Sequence, residues 1–372
     1  MIPNKKQAAR GFFDEQEALE KLSKLKDPLE KLNKHINFEV FRETLETIYT
    51  KQTPKSNAGA KPYDYVLMFK ILILQRLYNL SEEQMEYQLV DRLSFKRFTG
   101  LEFSHRVPDC NTIWNFKQGL AKDDNEKKLF DLFYKVVEEK KLIVNEGKMV
   151  DASFHEAPRQ RNSREENKEI KEGKTPEAWK SNKNKHKLAH KDLEARWTKK
   201  NNDTYYGYKN HIKADTESKL IDNYEVTSAS VHDSQALEKL LDEKDKGQSL
   251  HADSAYASEE MEGMVSKIEM INKIHEKGYK NKPLTDKQKE SNKIKSSKRA
   301  RVEHIFGFIE TSMKGTYIRT IGMARAKVNI GITNLTYNIC RAVQLGINMF
   351  TGACPELVSG DSYVQSVKRN GY

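Results

Sequence analysis

The chain has 372 residues, enough for about two or three domains, and its mean hydropathy of −0.82 with 32% charged residues excludes an integral membrane protein. The cysteines, Cys110, Cys340 and Cys354, form no Cys-x-x-Cys pair, so the sequence supports neither a disulfide framework nor a cysteine zinc site. No apolar run of signal-peptide length opens the chain, and we expect a cytoplasmic protein without a membrane partner.

The formal net charge of +11 is concentrated in two stretches of the sequence. Residues 156–200 carry a net charge of +6 and residues 273–301 a net charge of +8, so the remainder of the chain is slightly acidic. A basic track of this kind can neutralise phosphates and release their counterions. Solvated, partly disordered loops would have the same composition, so charge alone leaves both interpretations open.

The first part of the chain divides into a polar segment and a helical one. Residues 1–60 read as a polar N-terminal segment, with a connector rich in Gly, Ala, Pro and Lys at 53–62. After it, apolar residues recur at three- and four-residue steps, which predicts a buried helix. Ser81 and Gln84 fit a capping box for a second helix, and Asp109 can cap a third.

Residues 61–122 are therefore predicted to form a helical DNA-binding domain, compatible with a helix-turn-helix. The polar face of its last helix would expose Asn111, Asn115 and Gln118, whose amide groups can read base edges in a major groove. An ordinary helical bundle would produce the same pattern, so this signal does not decide between the two.

The pattern after residue 122 mixes helices with strands. A helix is predicted from Asn125 to Lys140, followed by a strand, a turn and a second strand over residues 142–154. Two β-rich runs within 204–230 predict a hairpin. The further elements expected are a helix from Asp233, a strand within 249–256, a strand from Glu269, and helices over 300–313 and 327–345.

This order predicts an α+β protein in which an N-terminal all-helical domain precedes a mixed sheet flanked by helices. The sheet domain would span residues 123–349, interrupted by a basic insert at about 156–200, and residues 350–372 would form a loose C-terminal tail.

Two aspartates stand at the ends of predicted strands. Asp151 follows Met149 and Val150, and Asp253 lies shortly after Leu250. An acid at the end of a buried strand loses hydration unless a cation compensates its charge, so a pair of them suggests a metal site. Either acid alone is better explained as a surface carboxylate at a strand end or in a turn, and only the pair gives the metal site more weight.

A third acid, Glu303, lies on a predicted amphipathic helix. Arg299 precedes it by one helical turn, so the two side chains are neighbours on one face. One interpretation is an ordinary salt bridge between them. The other places Glu303 on the metal and Arg299 on a phosphate.

With these residues the sequence resembles a known family. The strings MVDASF, HADSAY and KRARVEHIFGFIE occur in this order, with the three acids 102 and 50 positions apart. They resemble the DDE transposases of bacterial insertion sequences, with the closest similarity to the insertion-sequence-five type. The resemblance spans roughly residues 60–345 and implies an RNase H-like catalytic domain. It also implies that Asp151, Asp253 and Glu303 bind two Mg²⁺ ions, which Mn²⁺ can replace.

The basic residues around Glu303 are assigned to DNA by the same resemblance. Arg299 and Glu303 match a related signature of Tyr, Arg, Glu and Lys, while its first and last positions hold Ser296 and Glu310. Lys314, one turn beyond Glu310, is expected to take the place of the missing lysine. The other residues assigned to DNA in this stretch are Lys298 and Arg301.

Lys209 and His211 alternate along a predicted strand, so both side chains should lie on one face of the sheet. Contact with DNA near the acids and a place at the sheet edge are both compatible with this position, and we favour DNA contact.

The resemblance implies a transposase that binds double-stranded DNA at the ends of its element, cuts it and joins it to target DNA. Assembly as a homodimer or larger complex in a DNA synapse and association with the bacterial chromosome are implied in the same way. Two alternatives remain. Glu310 in place of a lysine keeps open a non-catalytic DNA-binding protein, and a metal-dependent nuclease that cuts without joining would need the same acids.

Overall fold

The computed structural model describes residues 13–50, 61–102, 104–184, 186–200, 202–278 and 283–350. Most of the predicted connector at 53–62 and nearly all of the predicted C-terminal tail lie outside these ranges.

Within the described residues, three α-helices precede the connector: α1 (Asp14–Lys24), α2 (Pro28–His35) and α3 (Arg42–Thr50). No element was predicted here, because the apolar residues are sparse among charged ones. Those few apolar side chains nevertheless pack inward, and Leu29 and Leu45 are fully buried. Burial of an amphipathic face, rather than the average polarity of the segment, decides helix formation.

The next group contains α4 (Tyr65–Leu77), α5 (Glu82–Asp91), α6 (Leu93–Thr99) and α7 (Cys110–Leu120). The capping box of Ser81 and Gln84 is confirmed, and Asp109 accepts a hydrogen bond from the amide of Thr112 as predicted. The short helix α6 was missed. Although α4 is the most apolar of these four, no helix in the described part of the chain could cross a membrane.

The sheet contains six strands within the described residues: β1 (Gly147–Glu156), β2 (Arg196–Lys200), β3 (Asp203–Asp215), β4 (Ile221–Ser228), β5 (Ser249–His251) and β6 (Ile271–Asn272). Strand β1 is antiparallel to β3 and parallel to β5, and β6 extends the sheet parallel to β5. Both β2 and β4 pair antiparallel with β3, which confirms the predicted hairpin. The mixed sheet and its flanking helices confirm the predicted α+β class.

One predicted strand is wrong. Residues 142–144 form no strand, although their sequence, Leu-Ile-Val, favours one. Leu142 and Ile143 are instead buried in the connection that leads into β1. A short apolar run identifies burial, and periodicity alone does not separate a strand from a buried connection.

The remaining helices cover both faces of the sheet, and their bounds are α8 (Asn125–Glu139), α9 (Arg164–Lys171), α10 (His186–His190), α11 (Leu237–Leu240), α12 (Glu259–Lys267), α13 (Asp286–Arg299), α14 (Arg301–Gly307) and α15 (Met323–Gln344). Successive residues of β1 point to opposite faces. Met149 therefore joins the core shared by α15, α8 and the N-terminal helices, while Val150 joins a second core against α11 and α12. The side-chain amide of Asn338 in α15 also bonds both backbone groups of Ile221 in β4.

The basic insert at 156–200 is packed against the protein. Trp179 in the insert is fully buried, and its indole NH donates to Glu166 at 2.5 Å. The insert also caps α15, because Asp192 accepts from the amide of Gly322 and Glu194 from that of Met323. Two carboxylates at a helix N-terminus stabilise it through the free amides and the helix dipole. This part of the insert is therefore folded rather than a disordered loop, while most of its lysine side chains are solvent-exposed.

Candidate active site

The sheet register places Asp151 beside Asp253. Met149 of β1 is paired with His251 of β5 in a parallel ladder. Asp151 lies two residues after Met149, and Asp253 lies two residues after His251. Neighbouring strands lie about 4.8 Å apart, so the two carboxyl groups leave the same edge of the sheet as neighbours. Asp253 is held by the turn that follows it, since its Oδ1 accepts the amide of Ala255 at 2.6 Å.

Asp151 is mostly buried, with 16% of its side chain exposed. Burial raises the pKa of this carboxyl, and the charge of Asp253 raises it further, while the amide of Ala152 and the guanidinium of Arg299 act in the opposite direction. Arg299 Nη1 donates to Asp151 Oδ2 at 3.1 Å. The site thus concentrates negative charge where little water is present, and the guanidinium of Arg299 neutralises part of that charge.

Glu303 stands on α14, one turn beyond Arg299 at the end of α13. Its side chain is 66% exposed, and Arg299 Nη2 lies 3.8 Å from Glu303 Oε1. The salt bridge expected from the helical spacing is therefore present. Because the same guanidinium contacts Asp151, Arg299 links two of the three predicted metal-binding acids.

The donor chemistry at this edge fits a hard divalent cation, since carboxylate oxygens are the ligands that Mg²⁺ and Mn²⁺ prefer. Asp151 and Asp253 are adjacent, and a positive group, Arg299, already lies against Asp151. In this arrangement, however, no three acidic, histidine or cysteine side chains among the described residues lie close enough together to bind one ion. Glu303 would have to approach the two aspartates to complete the set.

Lys209 and His211 do lie on one face of β3, as predicted, but the expectation that they reach DNA is corrected. Both are buried, at 8% and 0% exposure. Lys209 Nζ donates to Asp233 at 2.8 Å, and His211 Nε2 lies 2.8 Å from the hydroxyl of Thr227. Burial lowers the pKa of His211 to about 4 despite the charge of Asp233. A buried lysine requires a carboxylate partner, and the protein supplies it.

The basic residues around Arg299 occupy different surroundings. Lys298 and Arg301 both pair with Glu217, at 2.9 Å and 2.5 Å, and both remain partly exposed. Lys314 is exposed, but it does not continue the helical face of Glu310. The helix ends in a wide turn over Phe308–Ser312, and Lys314 adopts a left-handed backbone conformation with φ of 51°. The predicted position one turn beyond Glu310 is therefore wrong.

The polar face of α7 is only partly as predicted. Asn111 and Asn115 are exposed. Gln118 is half-buried, and its Oε1 accepts a hydrogen bond from Arg325 Nε of α15 at 2.7 Å, which corrects its expected place on the exposed face. The guanidinium of Arg325 also lies 5.8 Å from the ring centre of the exposed Trp114, so α15 adds a cation to this surface.

Three further residues around the aspartates were not identified from the sequence: Asp233, Tyr256 and His275. The hydroxyl of Tyr256 is buried without a hydrogen-bond partner among the described residues. Burial raises its pKa well above the ordinary value, and the charges of Asp233, Asp151 and Asp253 raise it further. Of the three, only Asp233 had a signal in the sequence. Lys209 and His211 lie on one face of β3, and a buried lysine requires an acid that the neighbouring sequence does not supply.

The comparisons with known families agree with this geometry. Residues 17–119 match the family described as Transposase domain (DUF772). Residues 146–339, more than half of the chain, match the family described as Transposase DDE domain, and this range includes all three acids. The protein belongs to the DDE transposase family, a family of DNA-cutting enzymes.

Among solved structures, the chain is similar to a piggyBac transposase, determined by cryo-EM as a synaptic complex with hairpin DNA. The alignment covers 89% of this chain and 78% of that one, with 11% sequence identity and a TM-score of 0.39. At this distance the similarity has no bearing on individual residues.

Proposed function

We propose that this protein is the transposase of a bacterial insertion sequence of the insertion-sequence-five type. It would bind the terminal inverted repeats of its element, cut the DNA at the element ends and join the freed ends to target DNA. The observation that carries the proposal is the parallel register of β1 and β5, which makes Asp151 and Asp253 neighbours.

In this proposal Asp151, Asp253 and Glu303 hold Mg²⁺, and Mn²⁺ can replace it. Two bound ions would activate the attacking hydroxyl group and stabilise the leaving oxygen of an in-line phosphoryl transfer. The two aspartates would come from the sheet, and Glu303 would approach them from α14 to complete the set. Because no side chain forms a covalent bond to the DNA, the protein acts by positioning the phosphate and by neutralising its charge.

DNA would be bound by two groups of residues. Asn111 and Asn115 on the exposed face of α7 would read base edges, and exposed or partly exposed cations would contact phosphates. These cations are Lys298, Arg299 and Arg301 around the junction of α13 and α14, and Lys314 in the segment after Ser312. We further propose that the protein acts on the chromosome in the bacterial cytoplasm, as a dimer or larger assembly that brings two element ends together.

The proposal is tested with a supercoiled plasmid that carries the gene and its native flanks. Wild-type protein and Asp253→Asn are incubated with this plasmid in Mg²⁺ or in EDTA, and breaks are mapped to the nucleotide. We expect metal-dependent breaks at the flank ends with the wild type and none with the variant, while both proteins bind the DNA equally.

Three outcomes would contradict parts of this proposal. Breaks by Asp253→Asn equal to those by the wild type would refute the assigned acids. Binding without breaks, in Mn²⁺ and with a pre-bent substrate as well, would identify a non-catalytic DNA-binding protein. Breaks at the ends without any joined product would identify a nuclease.

A further inference from the structure

Arg299 lies where a metal ion would have to compete with it. Its guanidinium donates to Asp151 Oδ2 at 3.1 Å and lies 3.8 Å from Glu303 Oε1, so one cation contacts two of the three acids. A divalent ion shared by these acids would take up the same carboxylate oxygens. The guanidinium and the ion therefore cannot both have their full set of contacts.

The guanidinium of Arg299 uses few of its N–H groups in hydrogen bonds. Its Nε is buried and has no hydrogen-bond partner among the described residues. The contact with Asp151 uses a single nitrogen, and the one with Glu303 is too long for a hydrogen bond. A guanidinium normally binds a carboxylate or a phosphate through two parallel N–H groups. A DNA phosphate would therefore be a better partner for Arg299 than the one it has.

The helix that carries Arg299 is lightly attached. No residue of α13 is buried, and its end meets α14 at Ala300. Its hydrogen bonds to the segment after β6 come from polar side chains. Asn292 bonds Glu276 through two hydrogen bonds, and Lys295 donates to the carbonyl of Ile274. A helix held in this way can shift without opening a hydrophobic core.

We infer that Arg299 makes metal binding conditional on DNA. Without DNA the guanidinium neutralises Asp151 and links it to Glu303, which weakens the affinity of the acids for a divalent ion. When DNA is bound, the guanidinium binds a phosphate instead, and the carboxylates of Asp151 and Glu303 become available to bind the metal. By linkage, metal must strengthen DNA binding by the same factor. This inference rests on the proposed function and adds the order in which the site is assembled.

The test measures Mn²⁺ affinity by calorimetry on the full chain, without DNA and with a saturating duplex copied from the flanks of the gene. The variants are Arg299→Gln and, as a matched control, Lys289→Gln. The control removes a positive charge from the same helix, from an exposed side chain that pairs with Asp286 rather than with the three acids. Any general effect of lost positive charge is therefore present in both variants.

Without DNA, we expect Arg299→Gln to bind Mn²⁺ about 5- to 150-fold more tightly than Lys289→Gln and the wild type, the usual range for coupled sites. We expect the duplex to increase the Mn²⁺ affinity of the wild type and of Lys289→Gln by a larger factor than that of Arg299→Gln. Equal affinities of the two variants without DNA would overturn the inference.

Asp253→Asn separates this inference from the proposed function. If Asp253→Asn abolishes Mn²⁺ binding while Arg299→Gln and Lys289→Gln bind equally, the proposed metal site stands and only the role of Arg299 is refuted. If Asp253→Asn binds Mn²⁺ like the wild type, the ion is bound elsewhere, and both the proposed site and this inference fail.

Discussion

The sheet and the α13–α14 segment hold their acids in different ways. Asp151 and Asp253 leave neighbouring parallel strands whose residues lie in two hydrophobic cores, whereas Glu303 is 66% exposed and follows a helix with no buried residue. The sheet can therefore preset two ligands, while the third is free to adjust. This difference suggests that assembly of the site is a step of its own, governed by the helical side.

The largest expected effect compares one acid from each region. Asp151→Asn should reduce cleavage by about 10⁴-fold, the scale seen when a member of a catalytic unit is removed. Glu303→Asp keeps the charge but shortens the side chain by one carbon, and the adjustable α14 should limit its loss to about 10²-fold. Initial rates on the flank plasmid measure both. Equal losses would mean that Glu303 is held as rigidly as the aspartates.

The stability of the sheet should depend strongly on a buried ion pair at the start of β1. Lys148 Nζ of β1 lies 2.5 Å from Asp222 Oδ2, and both side chains are at most 3% exposed. Lys148→Met would leave the carboxylate buried without a partner, which costs about 3–5 kcal/mol of unfolding free energy. Urea denaturation measures the loss. The double variant Lys148→Met, Asp222→Leu should recover most of it, and failure to recover would show that the lysine contributes by other contacts.

A buried acid in α8, Glu126, destabilises the folded state when it ionises. Glu126 at the start of α8 is 3% exposed, and burial raises its pKa from 4.5 to about 7. A raised pKa favours the folded state below pH 4.5, and this contribution is lost as the pH rises through 7. Glu126→Gln should therefore be more stable than the wild type at pH 8, by about 2–3 kcal/mol, and equal to it at pH 4.5. A constant difference across this range would rule out the titration of Glu126 as the cause.

The smallest change in the free energy of unfolding is expected from a substitution in the α13–α14 segment. Lys298 pairs with Glu217 at 2.9 Å, with side chains 42% and 29% exposed. Exposed pairs contribute about 0–1 kcal/mol, so Lys298→Ala should change the free energy of unfolding by no more than that. Urea denaturation beside Lys148→Met gives the comparison directly. A loss above about 2 kcal/mol would show that α13 is integrated into the fold.

Sequence reasoning recovered the parts of this molecule that depend on local chemistry. The caps of α5 and α7 and the β3–β4 hairpin all follow from residues within a few positions of one another. The strand-end position expected for Asp151 is wrong, because β1 continues beyond it to Glu156. Helix α13 was missed because it has no apolar face to reveal its period. The partner of Lys209 was missed because Asp233 is brought to it by the fold.

The same limit explains the error at Lys314. Counting one helical turn from Glu310 assumes that the helix continues, but a wide turn ends it two residues before Lys314. Side-chain direction beyond a helix end depends on backbone geometry that the sequence pattern does not carry.

The most direct test of the central claim is to locate the metal. Crystals of the full chain with flank DNA and Mn²⁺ would be measured at the manganese absorption edge. We predict anomalous peaks within about 2.0–2.6 Å of carboxylate oxygens of Asp151, Asp253 and Glu303, with Arg299 on a phosphate. Peaks away from the two aspartates, or Arg299 still bonded to Asp151 beside a bound ion, would contradict this account.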